Sequence, residues 1–69
     1  MKSVKQVWQI ELGGFRATIR KKVVGYDVSF SSECGGRWLP QSDFSDRELT
    51  VFARLATRAN KFVDYLSKA

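Results

Sequence analysis

A helix-start signal in the second half of the chain constrains the fold more than any other feature. Ser45 and Glu48 have the spacing of a capping box, in which each side chain binds a backbone N–H that the first helical turn leaves free. Phe44 and Leu49 occupy the positions of a hydrophobic staple around this cap. Together these signals predict one long helix over residues 46–67. The residues before it must supply the surface on which the helix packs.

Apolar residues recur on one broad face of the predicted helix. At about 100° per residue, the packing stripe should contain Leu49, Phe52, Ala53, Ala56, Ala59, Val63 and Leu66. Further apolar residues widen this face beyond the need of a single sheet, and they are Val51, Leu55, Phe62 and Tyr65. With Trp38, this flank is predicted to contact a second copy of the chain or another protein. Alternatively, segment 32–44 folds over the flank through Trp38 and Leu39.

Two alternating segments before the helix predict a β-hairpin. Segments 4–12 and 15–22 each alternate apolar and polar residues, and Gly13–Gly14 separates them. Two glycines suit a two-residue turn, because both turn positions require a positive φ. This register places the apolar side chains of both strands on one face and sets Glu11 opposite Arg16 on the other.

A third alternating run at 26–31 predicts another strand, joined to the hairpin by a turn over 22–25. We expect residues 32–36 to form a mobile loop and 37–39 to add a short edge strand that Pro40 stops. The chain is therefore predicted to be a single α+β domain over residues 1–69. It should contain a three- to four-stranded antiparallel β-meander followed by one long C-terminal α-helix packed on one sheet face.

The composition argues against catalysis and metal binding. The sequence has one cysteine and no histidine, which removes the common zinc ligand sets and histidine-assisted nucleophiles. Each carboxylate has a structural explanation, and no glycine-rich phosphate loop follows a strand. We therefore predict no enzyme activity, no catalytic or metal site, no cofactor and no small-molecule substrate. The lack of a signal-peptide pattern and of a long apolar run predicts a cytoplasmic protein without membrane contact.

The charge of the chain points to polyanions or acidic protein surfaces as partners. Twelve Lys and Arg against seven Asp and Glu give a net charge of +5. The outer face of the predicted sheet collects cations and a hydroxyl, with Lys5 nearby. We expect the nucleic-acid-binding residues to be Arg16, Thr18, Arg20, Lys22 and Arg37. Alternatively this is an ordinary solvated face, in which Arg16 and Arg20 pair with Glu11 and Asp27.

Two further patterns bear on nucleic-acid binding. The order of three strands and then a helix resembles that of sheet-reading DNA-binding domains such as the integrase arm-binding type, a likeness of element order that carries over no functional residues. On the helix, cations recur every seven residues at Arg47, Arg54, Lys61 and Lys68, with Arg58 beside them. Such a stripe could track phosphates, although the solvated side of an amphipathic helix explains it more simply.

The sequence thus predicts a small basic regulatory protein that binds nucleic acid through the outer sheet face as a homodimer. DNA is favoured over RNA. The alternative is a small phage-type inhibitor or adaptor that binds a host protein through the helix flank and the Trp38 loop. Charge and the stripe on the sheet favour the first hypothesis, whereas the apolar flank favours the second.

Overall fold

The computed structural model of the chain describes residues 6–68 and shows one antiparallel sheet with a helix across one of its faces. The strands are β1 (Val7–Leu12), β2 (Phe15–Lys21), β3 (Tyr26–Cys34) and β4 (Arg37–Pro40), and the helix is α1 (Asp46–Lys68). Neighbouring strands follow the order of the sequence, β1-β2-β3-β4. The predicted α+β meander with a C-terminal helix is confirmed, with four strands. Lys5 lies outside the described residues.

The first hairpin has the predicted register because its turn needs two residues with positive φ. Gly13 and Gly14 have φ values of 56° and 81°, and Leu12 pairs with Phe15 across them. Gly13 also lies close to the helix, although it is exposed on its other side. A Cβ atom at this position would lie 2.8 Å from Cγ1 of Val51 on the helix. The turn therefore fixes the strand register and also the closeness of the helix to this end of the sheet.

The structure corrects the loop predicted over residues 32–36. Strand β3 continues to Cys34, and a second tight turn at Gly35–Gly36, with φ values of 60° and 81°, leads directly into β4. Cys34 pairs with Arg37 across this turn. The physical reason is the one that applies to the first hairpin, since a Gly-Gly pair between two extended segments supplies both positive φ values that a two-residue turn requires.

The second hairpin turn lies at residues 22–25, as predicted. The backbone N–H of Lys22 donates to the carbonyl oxygen of Gly25 at 3.1 Å. Arg20 consequently stands opposite Asp27 in the β2–β3 register.

The helix begins with the predicted capping box. The Ser45 N–H donates to Glu48 Oε1 at 2.9 Å, and the Glu48 N–H donates to Ser45 Oγ at 3.2 Å. The backbone hydrogen bond from Ser45 lowers the pKa of the Glu48 carboxyl, because it stabilises the ionised form. The predicted staple is not what anchors Phe44, whose ring stacks on Phe52 with centroids 4.2 Å apart. Leu49 is 54% exposed.

The core lies between the helix and the central strand. It consists of Phe15, Ala17 and Ile19 from β2 and of Leu55 and Ala59 from α1. The helix is rotated about its axis relative to the predicted packing stripe, so Leu49 and Ala53 are exposed while Leu55 is completely buried. The wide apolar arc is used on both sides of the helix axis: Phe62 meets Trp8 of β1 with ring centroids 5.8 Å apart, and Phe52 meets Phe30 of β3 at 4.7 Å.

Candidate nucleic-acid interface

The outer face of the sheet, opposite the helix, carries three of the five residues predicted to bind nucleic acid. Because side chains alternate along a strand, the burial of Phe15 and Ala17 under the helix directs Arg16, Thr18 and Arg20 to the other face. We call this surface the outer sheet face. Its neighbouring positions on β1, β3 and β4 are Val7, Gln9, Glu11, Asp27, Ser29, Ser31, Glu33, Trp38 and Pro40.

Arg16 is already engaged by neighbours within the protein. Its Nε and Nη2 atoms donate to Glu11 Oε2 at 3.0 and 2.7 Å, which confirms the predicted cross-strand pair. The guanidinium also lies over the Trp38 ring, 4.0 Å from its centroid. Its side chain is 20% exposed. A phosphate would have to compete with Glu11 for this arginine, so its charge is poorly available to a polyanion.

The other central positions of the outer sheet face differ in accessibility. Thr18 lies between Gln9 and Ser29 in the register and is only 8% exposed, so its hydroxyl is largely removed from solvent. Arg20 is exposed and donates from Nη1 to Ser29 Oγ at 3.3 Å. Asp27, its register partner, stands beside it but forms no ion pair with it within 4.0 Å. Arg20 is thus the accessible cation at the centre of this face.

Lys22 and Arg37 are placed differently relative to the outer sheet face. Lys22 follows the end of β2, in the turn to β3, and lines one depression with Arg20 and Asp27 of this face. Arg37 pairs with Cys34, and strand alternation puts both on the side of the sheet that the helix occupies. Arg37 is therefore separated from the predicted nucleic-acid-binding residues that lie on the outer sheet face. The cause is the two-residue turn between β3 and β4, which determines which side chains of β4 face the helix.

The outer sheet face carries no excess of positive charge. Its strand positions hold two arginines, Arg16 and Arg20, against three carboxylates, Glu11, Asp27 and Glu33. Affinity for nucleic acid comes mainly from uncompensated cations near phosphates. The structure therefore weakens the physical basis of the outer sheet face as the main contact surface, although its arginines do lie opposite the helix as predicted.

The predicted protein-contact residues do not form one surface. Leu55 is 0% exposed and belongs to the core, so its assignment to an interface is wrong. Val51 and Phe62 are half-buried against the sheet, and Tyr65 is 68% exposed, stacked on Phe62. Trp38 pairs with Glu33 and lies on the outer sheet face, away from the helix. The sheet itself covers most of the apolar flank that suggested a homodimer.

A cluster of uncompensated positive charge lies on the solvent side of the helix. Arg54, Arg58 and Lys61 follow one another at spacings of four and three residues and are exposed. We call these three residues the cationic ridge. Ala53 and Thr57 form the floor of a shallow depression between them. Such spacing places the three side chains on one face of the helix, within an arc of roughly 60° at 3.6 residues per turn.

No carboxylate among the described residues forms an ion pair with the cationic ridge. Within residues 6–68, the ion pairs closer than 4.0 Å join Arg16 to Glu11 and Lys68 to Asp64. No acidic residue occurs in the helix between Glu48 and Asp64. The sequence already contained this signal, but the regular spacing of the cations was less informative than the lack of acids among them.

The part of the chain that the structure describes contains no cluster of three or more potential metal ligands. Its helix is not long and apolar enough to cross a membrane. Comparison with known protein families, with curated proteins and with solved structures returns no match to this chain.

Proposed function

We propose that the protein binds nucleic acid and that the cationic ridge of the helix provides its main phosphate contacts. The observation that carries this proposal is the unpaired state of Arg54, Arg58 and Lys61 on one exposed helix face. Three cations without neighbouring carboxylates produce a local positive potential that the balanced outer sheet face lacks. Release of counterions from nucleic acid would supply the driving force.

The shape of this surface suits duplex DNA. The cationic ridge spans about 10 Å along the helix axis, at ~1.5 Å per residue. The helix lies flat on the sheet, so its far side is a convex edge. The major groove of B-form DNA, about 12 Å wide, admits such an edge, whereas the major groove of duplex RNA is deep and narrow.

The experiment compares two double variants that each remove two positive charges. Arg54→Gln with Arg58→Gln weakens the cationic ridge, and Arg16→Gln with Arg20→Gln weakens the outer sheet face. Binding of a 20-base-pair duplex is measured by fluorescence anisotropy from about 50 to 200 mM salt. Each lost phosphate contact reduces the slope of log K against log salt by about 0.9. We expect the ridge variant to lose a slope of about 2 and the sheet variant to lose less than 1.

Circular dichroism and thermal unfolding should show that both variants remain folded. The reverse ranking of the two slopes would assign binding to the outer sheet face and refute the role of the cationic ridge. If the wild-type protein binds neither duplex DNA nor RNA at the lowest salt concentration, nucleic-acid binding itself is refuted.

The structure gives less support to the rival hypothesis, a protein inhibitor or adaptor that binds through the helix flank and the Trp38 loop. Leu55 is inaccessible, and Trp38 lies on the opposite face of the sheet from the flank. We therefore do not propose it.

A further inference from the structure

The turn between β2 and β3 exposes two adjacent valines that the fold does not use. Val23 and Val24 are 103% and 86% exposed, more than any other large apolar residue among residues 6–68. Turns usually carry Gly, Asn, Asp, Pro or Ser, whereas valine favours strands and buried positions. Residues that fit neither the usual composition of turns nor the usual pattern of burial, and that add nothing to packing, are expected at functional positions. We call residues 22–25 the hairpin tip.

Positive charge surrounds the base of the hairpin tip. Arg20, Lys21 and Lys22 precede the valines and are exposed. A depression at this place is lined by Val7, Asp27 and these three cations. None of the three cations has a carboxylate within 4.0 Å in the described structure. The hairpin tip therefore exposes two apolar side chains next to three cations. This combination fits a partner with both apolar groups and negative charge.

A chain of aromatic contacts connects the hairpin tip to the cationic ridge. Tyr26, the first residue of β3 after the turn, packs against Trp8 with ring centroids 6.3 Å apart. Trp8 contacts Phe62 at 5.8 Å, and Phe62 directly follows Lys61 of the cationic ridge. The base of the hairpin and the C-terminal end of the ridge thus lie at the same end of the molecule.

We propose that the hairpin tip enters the major groove of duplex DNA, where Val23 and Val24 pack against the 5-methyl groups of thymine. This inference rests on the proposed function and adds base preference to it. The groove admits a two-stranded β-ribbon, and thymine is the base that presents an apolar methyl group there. Lys21 and Lys22 contact the phosphates at the groove edges. The contact requires no unstacking of bases.

The short valine side chain favours the major groove over the minor groove and over a lipid surface as the partner of the hairpin tip. Side chains that wedge between base steps in the minor groove are longer or rigid, mostly Phe, Leu, Ile, Met or Pro, and unstacking costs a few kcal/mol. Segments that insert into an anionic lipid surface typically use Trp, Phe or Leu. Valine reaches only a short distance beyond the backbone. Shallow contact with a methyl group on the groove floor suits that reach.

The experiment compares two duplexes that differ only in thymine methyl groups. One 20-base-pair duplex is rich in A·T pairs, and the other has deoxyuridine at every thymidine. Removal of a buried methyl group should weaken binding about fourfold. We expect wild-type protein to bind the thymidine duplex at least about fourfold more tightly. Val23→Ser with Val24→Ser should bind both duplexes with equal affinity, near that of wild-type protein for the deoxyuridine duplex.

Leu49→Ser is the matched control, because Leu49 is an exposed apolar residue at the other end of the helix. This variant should keep the wild-type preference for thymidine. Equal wild-type affinity for the two duplexes, or an unchanged preference in the double valine variant, would overturn the inference while leaving the proposed function intact. Failure of wild-type protein to bind either duplex at low salt would refute the proposed function itself. Loss of binding to phosphatidylserine vesicles in the valine variant, without any thymidine preference in wild-type protein, would assign the tip to lipid instead.

Discussion

Substitution of Gly13 by alanine should reveal how tightly the first hairpin turn is fitted under the helix. Gly13 has a φ of 56°, and a Cβ atom there would lie 2.8 Å from Cγ1 of Val51. Two costs are therefore expected. The left-handed backbone conformation costs a non-glycine residue about 1–2 kcal/mol. The overlap with a partly buried valine should add about 1–3 kcal/mol, as for other overpacked sites.

Gly14 provides a matched comparison in the same turn. Its φ is 81°, yet a Cβ atom there would meet no atom within 4 Å. Gly14→Ala should therefore cost only the backbone term, about 1–2 kcal/mol, and Gly13→Ala about 2–5 kcal/mol. The effect of the added methyl on the unfolded chain is similar for the two variants and cancels in their difference.

Urea unfolding of the single variants and of Gly13→Ala with Val51→Ala would test this reasoning. The double variant removes the clashing methyl group. Its loss of unfolding free energy should therefore be about 1–2 kcal/mol smaller than the sum of the losses in the two single variants. Equal destabilisation by Gly13→Ala and Gly14→Ala would refute the close contact. Additive effects in the double variant would show that Val51 does not cause the cost.

Two further predictions concern the helix. Leu55→Ala should lower the free energy of unfolding by about 3–5 kcal/mol, because the side chain is completely buried. Tyr65→Ala, at an exposed position, should lower it by less than about 1 kcal/mol. Urea denaturation measures both values, and similar values for the two variants would contradict the assignment of Leu55 to the core. Glu48→Gln should destabilise the protein at neutral pH. The pKa of Glu48 is lowered in the folded state, so its stabilising effect is present above the pKa of the unfolded chain and is lost as the pH falls through the lowered folded pKa. Thermal unfolding from pH 7 to 3 should show the difference from wild type vanishing in acid, and a constant difference would contradict this cause.

The charge on the two faces shows that the spacing of cationic residues alone does not determine which surface carries uncompensated positive charge. Arg16 and Arg20 point outwards as the strand alternation required, but Glu11 neutralises the first of them. On the helix, Arg54, Arg58 and Lys61 have no such partner among the described residues. The Glu11–Arg16 pair follows from the predicted register of the first hairpin, whereas Glu33 joins the outer sheet face only because β3 extends beyond the predicted strand.

Local chemistry in the sequence by itself determined the elements of this fold. The capping box at Ser45 and Glu48 set the start of the helix, and Gly13–Gly14 set the first turn, because both depend on neighbours within a few residues. Gly35–Gly36 carried the same turn signal, and reading it as the end of a loop misplaced Arg37 and Trp38.

Only the tertiary structure decided which part of the helix faces the sheet. The apolar arc is wide enough to pack in several rotations, and contacts from distant strands select one of them. Trp8 and Phe30 hold Phe62 and Phe52 on either side of the axis, and this rotation buries Leu55. The same rotation turns the cationic ridge towards solvent. Periodicity along one segment cannot determine this choice, because the competing orientations differ only in contacts with residues far away in the chain.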